Sequence, residues 1–312
     1  MLKVRNLKIK FNKWIFNNFN INFKKGVKKV YVSLSKNGCL YLDDMNNCIL
    51  KKFNVDVYYI QSIGNYLAEP KWATNKRKYQ VHTSIKKILS KETLENISNE
   101  ECMNIIMNYA ATNDHNTKVN KDYEIKGKNL TQGLEKILFI CPECLKQEII
   151  YHDNLIECTY CHNQVRYNKY GYLDSLTKEK KSFDDEEKWY YFQTNYYLDE
   201  IKKESFSYTS NVSLYTDTII KDKYICVGKG LLTLNKEECY YEGEFMDENK
   251  QKVKKRIDFS LLVPELSFVP CLRFNIPNEE GIFEFIPEDK KDVMRFVQMW
   301  EALQIYKTNI NN

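Results

Sequence analysis

The chain has 312 residues, a formal net charge of +5, 43% hydrophobic residues and 14% aromatic residues. That composition supports packed cores in one large or two to three modest domains. It excludes a membrane-spanning helix, because no apolar run approaches the ~20 residues such a helix needs, and the charge is too mild to argue by itself for nucleic acid or an anionic membrane.

Lys3, Arg5, Lys8 and Lys10 are followed by no apolar segment, so the start of the chain does not read as a signal peptide. The 23 Tyr and 16 Phe favour β-rich structure. Ten cysteines, four of them in a metal-binding pattern, suit a reducing cytoplasm. The expected location is therefore cytoplasmic, at most peripheral to a membrane. Cys39, Cys48, Cys102, Cys226, Cys239 and Cys271 read as small buried hydrophobes.

In chain order, 30–34 reads as a strand, 36–38 as a turn, and Asp43 or Asp44 as the cap of a helix with Met45, Cys48, Ile49 and Phe53 on one face. A second strand follows over 55–60. This is the grammar of an α/β domain, in too little chain to complete one. Next come Gly64 to Ala73 and a basic cluster, Lys76, Arg77 and Lys78. With Trp72 this cluster is a candidate membrane or ligand surface, since basic and aromatic residues cooperate at anionic interfaces. The segment 81–89 has an ambiguous pattern that can be read as another strand. Ser98 and Glu101 form a capping box ahead of a helix whose stripe is Cys102, Ile105, Ile106, Tyr109 and Ala110, and 112–129 reads as polar loop.

The sharpest signal is Cys141-Pro142-Glu143-Cys144 followed, after thirteen residues (145–157), by Cys158-Thr159-Tyr160-Cys161. Two such pairs present four thiolates to a tetrahedral structural Zn²⁺, with short strands over 148–152 and 164–167, so the spacing predicts a zinc ribbon. A redox pair is the alternative, but it normally opens a helix in a βαβ setting that is missing here. The residues after each pair are Leu145 and His162 where Gly is usual, which predicts strained knuckles. His152 and His162 read as surface residues beside a complete four-cysteine set. A closed four-thiolate site has no open coordination position and is structural, not catalytic.

Beyond the ribbon, 174–188 reads as an exposed linker, and Trp189, Phe192, Tyr196 and Leu198 as the packed side of a helix. From Phe206 onward seven short runs (212–214, 224–227, 230–234, 239–241, 257–259, 272–276, 282–285) predict an antiparallel β domain. One helix closes it, with Val293, Phe296, Val297, Trp300 and Leu303 on its apolar face. Seven strands plus a C-terminal helix bearing a Trp resemble the pleckstrin-homology-like architecture, which by itself selects neither a lipid nor a protein ligand. The expected organisation is a partial α/β segment over 1–80, a helical connector over 81–136, the ribbon over 137–173, a linker and aromatic helix over 174–205, and the β domain over 206–312. The fold class is α+β multidomain.

From about residue 26 onward the chain resembles a clostridial-type lysophospholipid (1-acyl-sn-glycerol-3-phosphate) acyltransferase. The resemblance rests on five stretches. Gly64-Asn65-Tyr66-Leu67 with Pro70-Lys71-Trp72 is similar to that family's GGYL-x-x-PRW segment. Lys126-Gly127-Lys128-Asn129 with Gly133-Leu134-Glu135 is similar to its KGKNRAEGLE approach to the ribbon. The ribbon, ending in Asn168-Lys169-Tyr170-Gly171, falls at the matching place. Trp189-Tyr190-Tyr191-Phe192-Gln193 is similar to its WYxFQ helix, and 228–234 to a later β segment.

The departures weigh against catalysis. The family's chemistry needs a His-x4-Asp pair, the His as base for the acceptor hydroxyl and the Asp to orient it. Five residues after His82, His115, His152 and His162 stand Lys87, Asn120, Glu157 and Tyr167. The Phe-Pro-Glu-Gly phosphate-binding segment should fall near 30–35, where neither Pro nor Glu occurs. No catalytic residue carries over. The expectation is a degenerate or truncated relative, non-catalytic alone, acting on an anionic lipid surface or a partner acyltransferase. One alternative is a zinc-ribbon module for nucleic acid or protein. Nucleic acid is disfavoured by Glu143, Glu148, Asp153 and Glu157 around the ribbon's few cations. The other is residual acyl transfer with an unrecognised or partner-supplied base.

Overall fold

A computed structural model describes residues 30–32, 56–110, 113–115, 123–216, 224–247, 249–263 and 265–311. The expected turn at 36–38, the helix capped at Asp43 or Asp44, Cys39 and Cys48 lie outside the described residues. The fold is mixed α+β with antiparallel sheets and a C-terminal helix. It divides into two compact units, Met1–Ser62 with Thr83–Thr112, and Ile63–His82 with Asn113–Asn312.

In the first unit β1 (Val30–Val32) runs parallel to β2 (Val57–Ile63), and β3 (His82–Leu89) completes a three-stranded sheet. The ambiguous segment is thus a strand. Ser90 caps the short helix α2 (Lys91–Asn96) by accepting from Thr93 N. The capping box forms as its sequence predicts: Glu101 N donates to Ser98 Oγ at 3.0 Å and Ser98 N to Glu101 at 2.8 Å, ahead of α3 (Asn99–Ala110). Val57, Leu89, Leu94, Cys102 and Ile106 make this unit's core.

The second unit begins with α1 (Asn65–Ala68) and carries the ribbon, an antiparallel sheet of β4 (Ile149–His152), β5 (Leu155–Cys158), β6 (Gln164–Tyr167) and β7 (Leu173–Ser175). The expected linker is narrower than 174–188: residues 176–184 are irregular and exposed or half-buried, whereas 174 and 175 belong to the last ribbon strand and Asp185 and Glu186 are buried at the start of the next helix. Helix α4 (Glu186–Lys202) follows, capped by Asp185 accepting from Lys188 N. Its buried stripe is Trp189, Gln193, Tyr197 and Ile201 at i, i+4, i+8 and i+12, with Phe192, Tyr196 and Leu198 only half-buried. The polar Gln193 hides this stripe from any count of apolar residues.

The remaining strands are β8 (Ser207–Thr216), β9 (Ile225–Asn235), β10 (Cys239–Met246), β11 (Lys252–Phe259), β12 (Ser267–Val269), β13 (Arg273–Asn278) and β14 (Gly281–Pro287). They form one sheet in the order β11-β10-β9-β8-β14-β13-β12, so the first strand pairs with the last. Two expected runs, 224–227 and 230–234, are a single strand, and β12 was not anticipated. Gly230 does not break β9. A Cβ there would stand 2.3 Å from Glu242 O, so the close approach of β10 requires glycine inside the strand.

Helix α5 (Asp292–Asn311) closes the sheet. The expected face is buried: Val293, Phe296, Val297, Trp300 and Leu303 are at most 1% exposed. Phe274 stacks on Phe296 at 4.6 Å, and Trp300 Nε1 donates to Val263 O at 2.9 Å. Met294, Gln298, Met299 and Ala302 are buried as well. The second buried side meets α4, where Gln298 contacts Gln193 and Glu301 contacts Tyr190. The helix is thus packed on two sides, one apolar and one partly polar.

Candidate metal centre

The two knuckles are built by local hydrogen bonding. Leu145 N donates to Cys141 O at 2.9 Å and Cys141 N to Lys146 O at 2.9 Å; His162 N donates to Cys158 O at 2.8 Å and Cys158 N to Asn163 O at 3.0 Å. Each loop turns through one left-handed residue, Leu145 at φ 61° and His162 at φ 56°, the positions where the sequence lacks glycine. The turns bring Cys141, Cys144, Cys158 and Cys161 together with all four sulfurs within 4.8 Å of one another.

The spacing fits a cation and not disulfides. Cys141 Sγ to Cys161 Sγ is 3.5 Å and Cys144 Sγ to Cys158 Sγ is 3.6 Å, and all four thiols are free. A tetrahedral ion with ~2.3 Å bonds to sulfur sets sulfurs ~3.8 Å apart, whereas a disulfide sets them ~2 Å apart. Backbone amides of Glu143 and Cys144 point at Cys141 Sγ, and that of Lys146 at Cys144 Sγ. Asn163 Nδ2 adds a donor 3.9 Å from Cys141 Sγ. These donors favour thiolate over thiol. Burial works the other way and pushes the Cys141 and Cys144 thiols up. A bound cation resolves that opposition by holding the sulfurs deprotonated. Four protein ligands leave no open position for chemistry.

Helix α4 positions the centre from behind. Gln193 Oε1 accepts from Phe139 N at 2.7 Å and Ile140 N at 2.8 Å, while its Nε2 donates to Ile137 O at 2.9 Å. Trp189 Nε1 donates to Ile140 O at 2.8 Å. The irregular segment 137–140 that delivers Cys141 is thus fastened by two side chains of one helix.

The four candidate surface residues do not share an exposed face. Lys76 and Lys78 are exposed, but Trp72 is 3% exposed and donates from Nε1 to Tyr66 Oη at 3.1 Å. Arg77 turns inward, its guanidinium 4.5 Å from the Trp72 ring and 5.0 Å from the Tyr167 ring, and donates to Leu130 O. Aromatic faces and a carbonyl take the place of solvent around it. Of the remaining cysteines, Cys102 and Cys239 are buried as expected, Cys271 is half-buried, and Cys226 is exposed.

Sequence reasoning missed a buried polar cluster. His115 Nε2 lies 3.1 Å from Glu186 Oε1, both side chains 3% exposed. Burial opposes ionisation of Glu186, but the hydrogen bond and charge of His115 and the hydroxyl of Tyr66 hold its pKa below the ordinary carboxylate range. The pair spans 71 residues of sequence, so no local pattern announces it. It ties residue 115 to the first turn of α4.

No protein-family model matches the chain, and the search of curated proteins finds no matching relative. Among the described residues no helix is long and apolar enough to cross a membrane.

Proposed function

We propose that Cys141, Cys144, Cys158 and Cys161 hold one structural Zn²⁺, and that the chain is a non-catalytic, acyltransferase-like binding protein of phospholipid metabolism. The closed four-sulfur centre carries this reading, because zinc bound by four thiolates staples a fold and takes no part in a reaction. The acyltransferase likeness rests on sequence stretches alone, and what supports its non-catalytic form is how they are used. Gly133, Trp189 and Gln193 are spent on packing around the ribbon approach, and no histidine is followed at the family's spacing by an aspartate.

The pleckstrin-homology-like reading of 206–312 is supported by the strand order, with the first strand bridging to the seventh and a C-terminal helix against the sheet. Such a domain presents loops to a lipid headgroup or a protein. The lipid-facing role no longer leans on Trp72 and Arg77, leaving Lys76 and Lys78 as the exposed cations of that stretch.

The test has two measurements on the full chain. Metal content after dialysis should give about one zinc per chain, lost in C144S and C158S. Thiol release from acyl-CoA with lysophosphatidic acid should stay at the buffer rate. Turnover above buffer that scales with protein would refute the non-catalytic reading, and a zinc-free folded chain would refute the metal.

A further inference from the structure

We propose that the outer face of the ribbon carries a second, open divalent-metal site formed by His152, Glu157 and His162. The strands place its ligands. Ile150 pairs directly with Glu157 across β4 and β5, so His152, two residues beyond Ile150, shares the face of Glu157. The knuckle after Cys161 swings His162 onto the same carboxylate. His152 Nε2 stands 2.6 Å from Glu157 Oε2, and His162 Nδ1 stands 2.7 Å from Glu157 Oε1.

Two imidazoles and one carboxylate are a donor set for borderline divalent transition ions such as Zn²⁺, Co²⁺ or Ni²⁺. The surrounding hydrogen bonds are those that prepare ligands for a cation. His152 Nδ1 lies 3.3 Å from Asp153 Oδ2, so the ring can keep a proton on Nδ1 when a cation displaces the one that Nε2 donates to Glu157. Gln164 Nε2 donates to Glu157 Oε2 at 2.9 Å and orients the carboxylate. His162 also occupies a left-handed position that glycine would fill with less strain, and the strain is kept where its ring reaches Glu157.

A cation would replace the two ring-to-carboxylate hydrogen bonds and draw both nitrogens to one centre. His162, with a side chain 71% exposed, has room for that movement. Three protein ligands leave further coordination positions to water, so this site, unlike the four-cysteine centre, is exchangeable and open. It does not depend on the zinc reading, because its ligands include no sulfur.

The test is Co²⁺ titration of the zinc-loaded full chain near neutral pH, followed by visible absorption and equilibrium dialysis. Expected is bound cobalt with ligand-field bands but no thiolate charge transfer, weakened at least about tenfold in H152A and in H162G. H162G keeps the knuckle, since glycine suits its φ, and so separates ligand loss from misfolding. The proposal is overturned if no cobalt binds, if all bound cobalt shows thiolate charge transfer, or if both variants bind as the parent does.

Discussion

Replacing Gln193 by alanine tests how the ribbon is held. The side chain is fully buried and satisfies three backbone groups at once, Phe139 N, Ile140 N and Ile137 O, besides meeting Gln298 Oε1 at 3.2 Å. Q193A removes none of those backbone groups from the core; it only removes their partner. A buried polar group left without a partner costs about 1–3 kcal/mol, so three set a range of about 3–9 kcal/mol. Water entering the vacated space lowers this, and the expected loss is about 3–5 kcal/mol. Q193E is expected to be nearly as damaging, since a carboxylate accepts from the two amides but cannot donate to Ile137 O, and its charge is buried.

The assay is urea unfolding of zinc-loaded protein, read by circular dichroism, with Y191A as control. Tyr191 is on the same helix but 60% exposed, so Y191A should stay within about 0.5 kcal/mol of the parent. A Q193A loss below about 1 kcal/mol would mean that the amides find other partners, and that α4 does not fasten the ribbon as described.

Three further outcomes follow from single residues. Glu301 sits between α4 and α5 with Tyr190 Oη at 2.9 Å; burial, aided by the charge of Glu265, raises its carboxyl from 4.5 to about 7. The folded chain therefore holds this proton more tightly than the unfolded one. The stabilisation is complete below about pH 4.5 and is lost as pH rises through about 7, a change of about 1–3 kcal/mol that E301Q should abolish in denaturation curves at about pH 5 and 8. L145G should stabilise the zinc-loaded chain by about 0.5 kcal/mol, because relief of a left-handed leucine outweighs the added chain entropy. G133A should cost more than about 3 kcal/mol or leave the protein insoluble, since a Cβ at φ +100° would lie 2.1 Å from Trp72 O; a parent-like melting temperature would refute this.

What the sequence makes legible is what depends on near neighbours. The knuckles need only three-residue spacings, and the capping box only Ser98 and Glu101, and both form as read. The inner face of α5 is legible because its partner is an apolar sheet. Its second face is not, because Gln298 and Glu301 meet α4 through polar contacts that periodicity does not register. The stripe of α4 is obscured in the same way by Gln193. Gly228 and Gly230 mimic a turn in sequence, yet they mark a close backbone approach inside β9. The inward turn of Arg77 and the His115–Glu186 pair rest on contacts with Tyr167 and Leu130, or across 71 residues, which no local pattern contains.

The five stretches singled out in the sequence have a common physical role among the described residues. A Cβ on Gly64 would stand 2.5 Å from Gln80 O, and one on Gly133 would strike Trp72 O, so both glycines permit close passage of the 64–80 stretch. Lys78, six residues beyond the first stretch, pairs with Lys126 of the second through both backbone groups, at 2.8 and 2.9 Å. Trp189 and Gln193 fasten 137–140, and 140 leads directly into Cys141, the first of the four clustered cysteines. Four of the five stretches thus build one scaffold around the metal centre. Packing requirements of this kind act on glycine, tryptophan and glutamine whether or not a reaction is catalysed nearby.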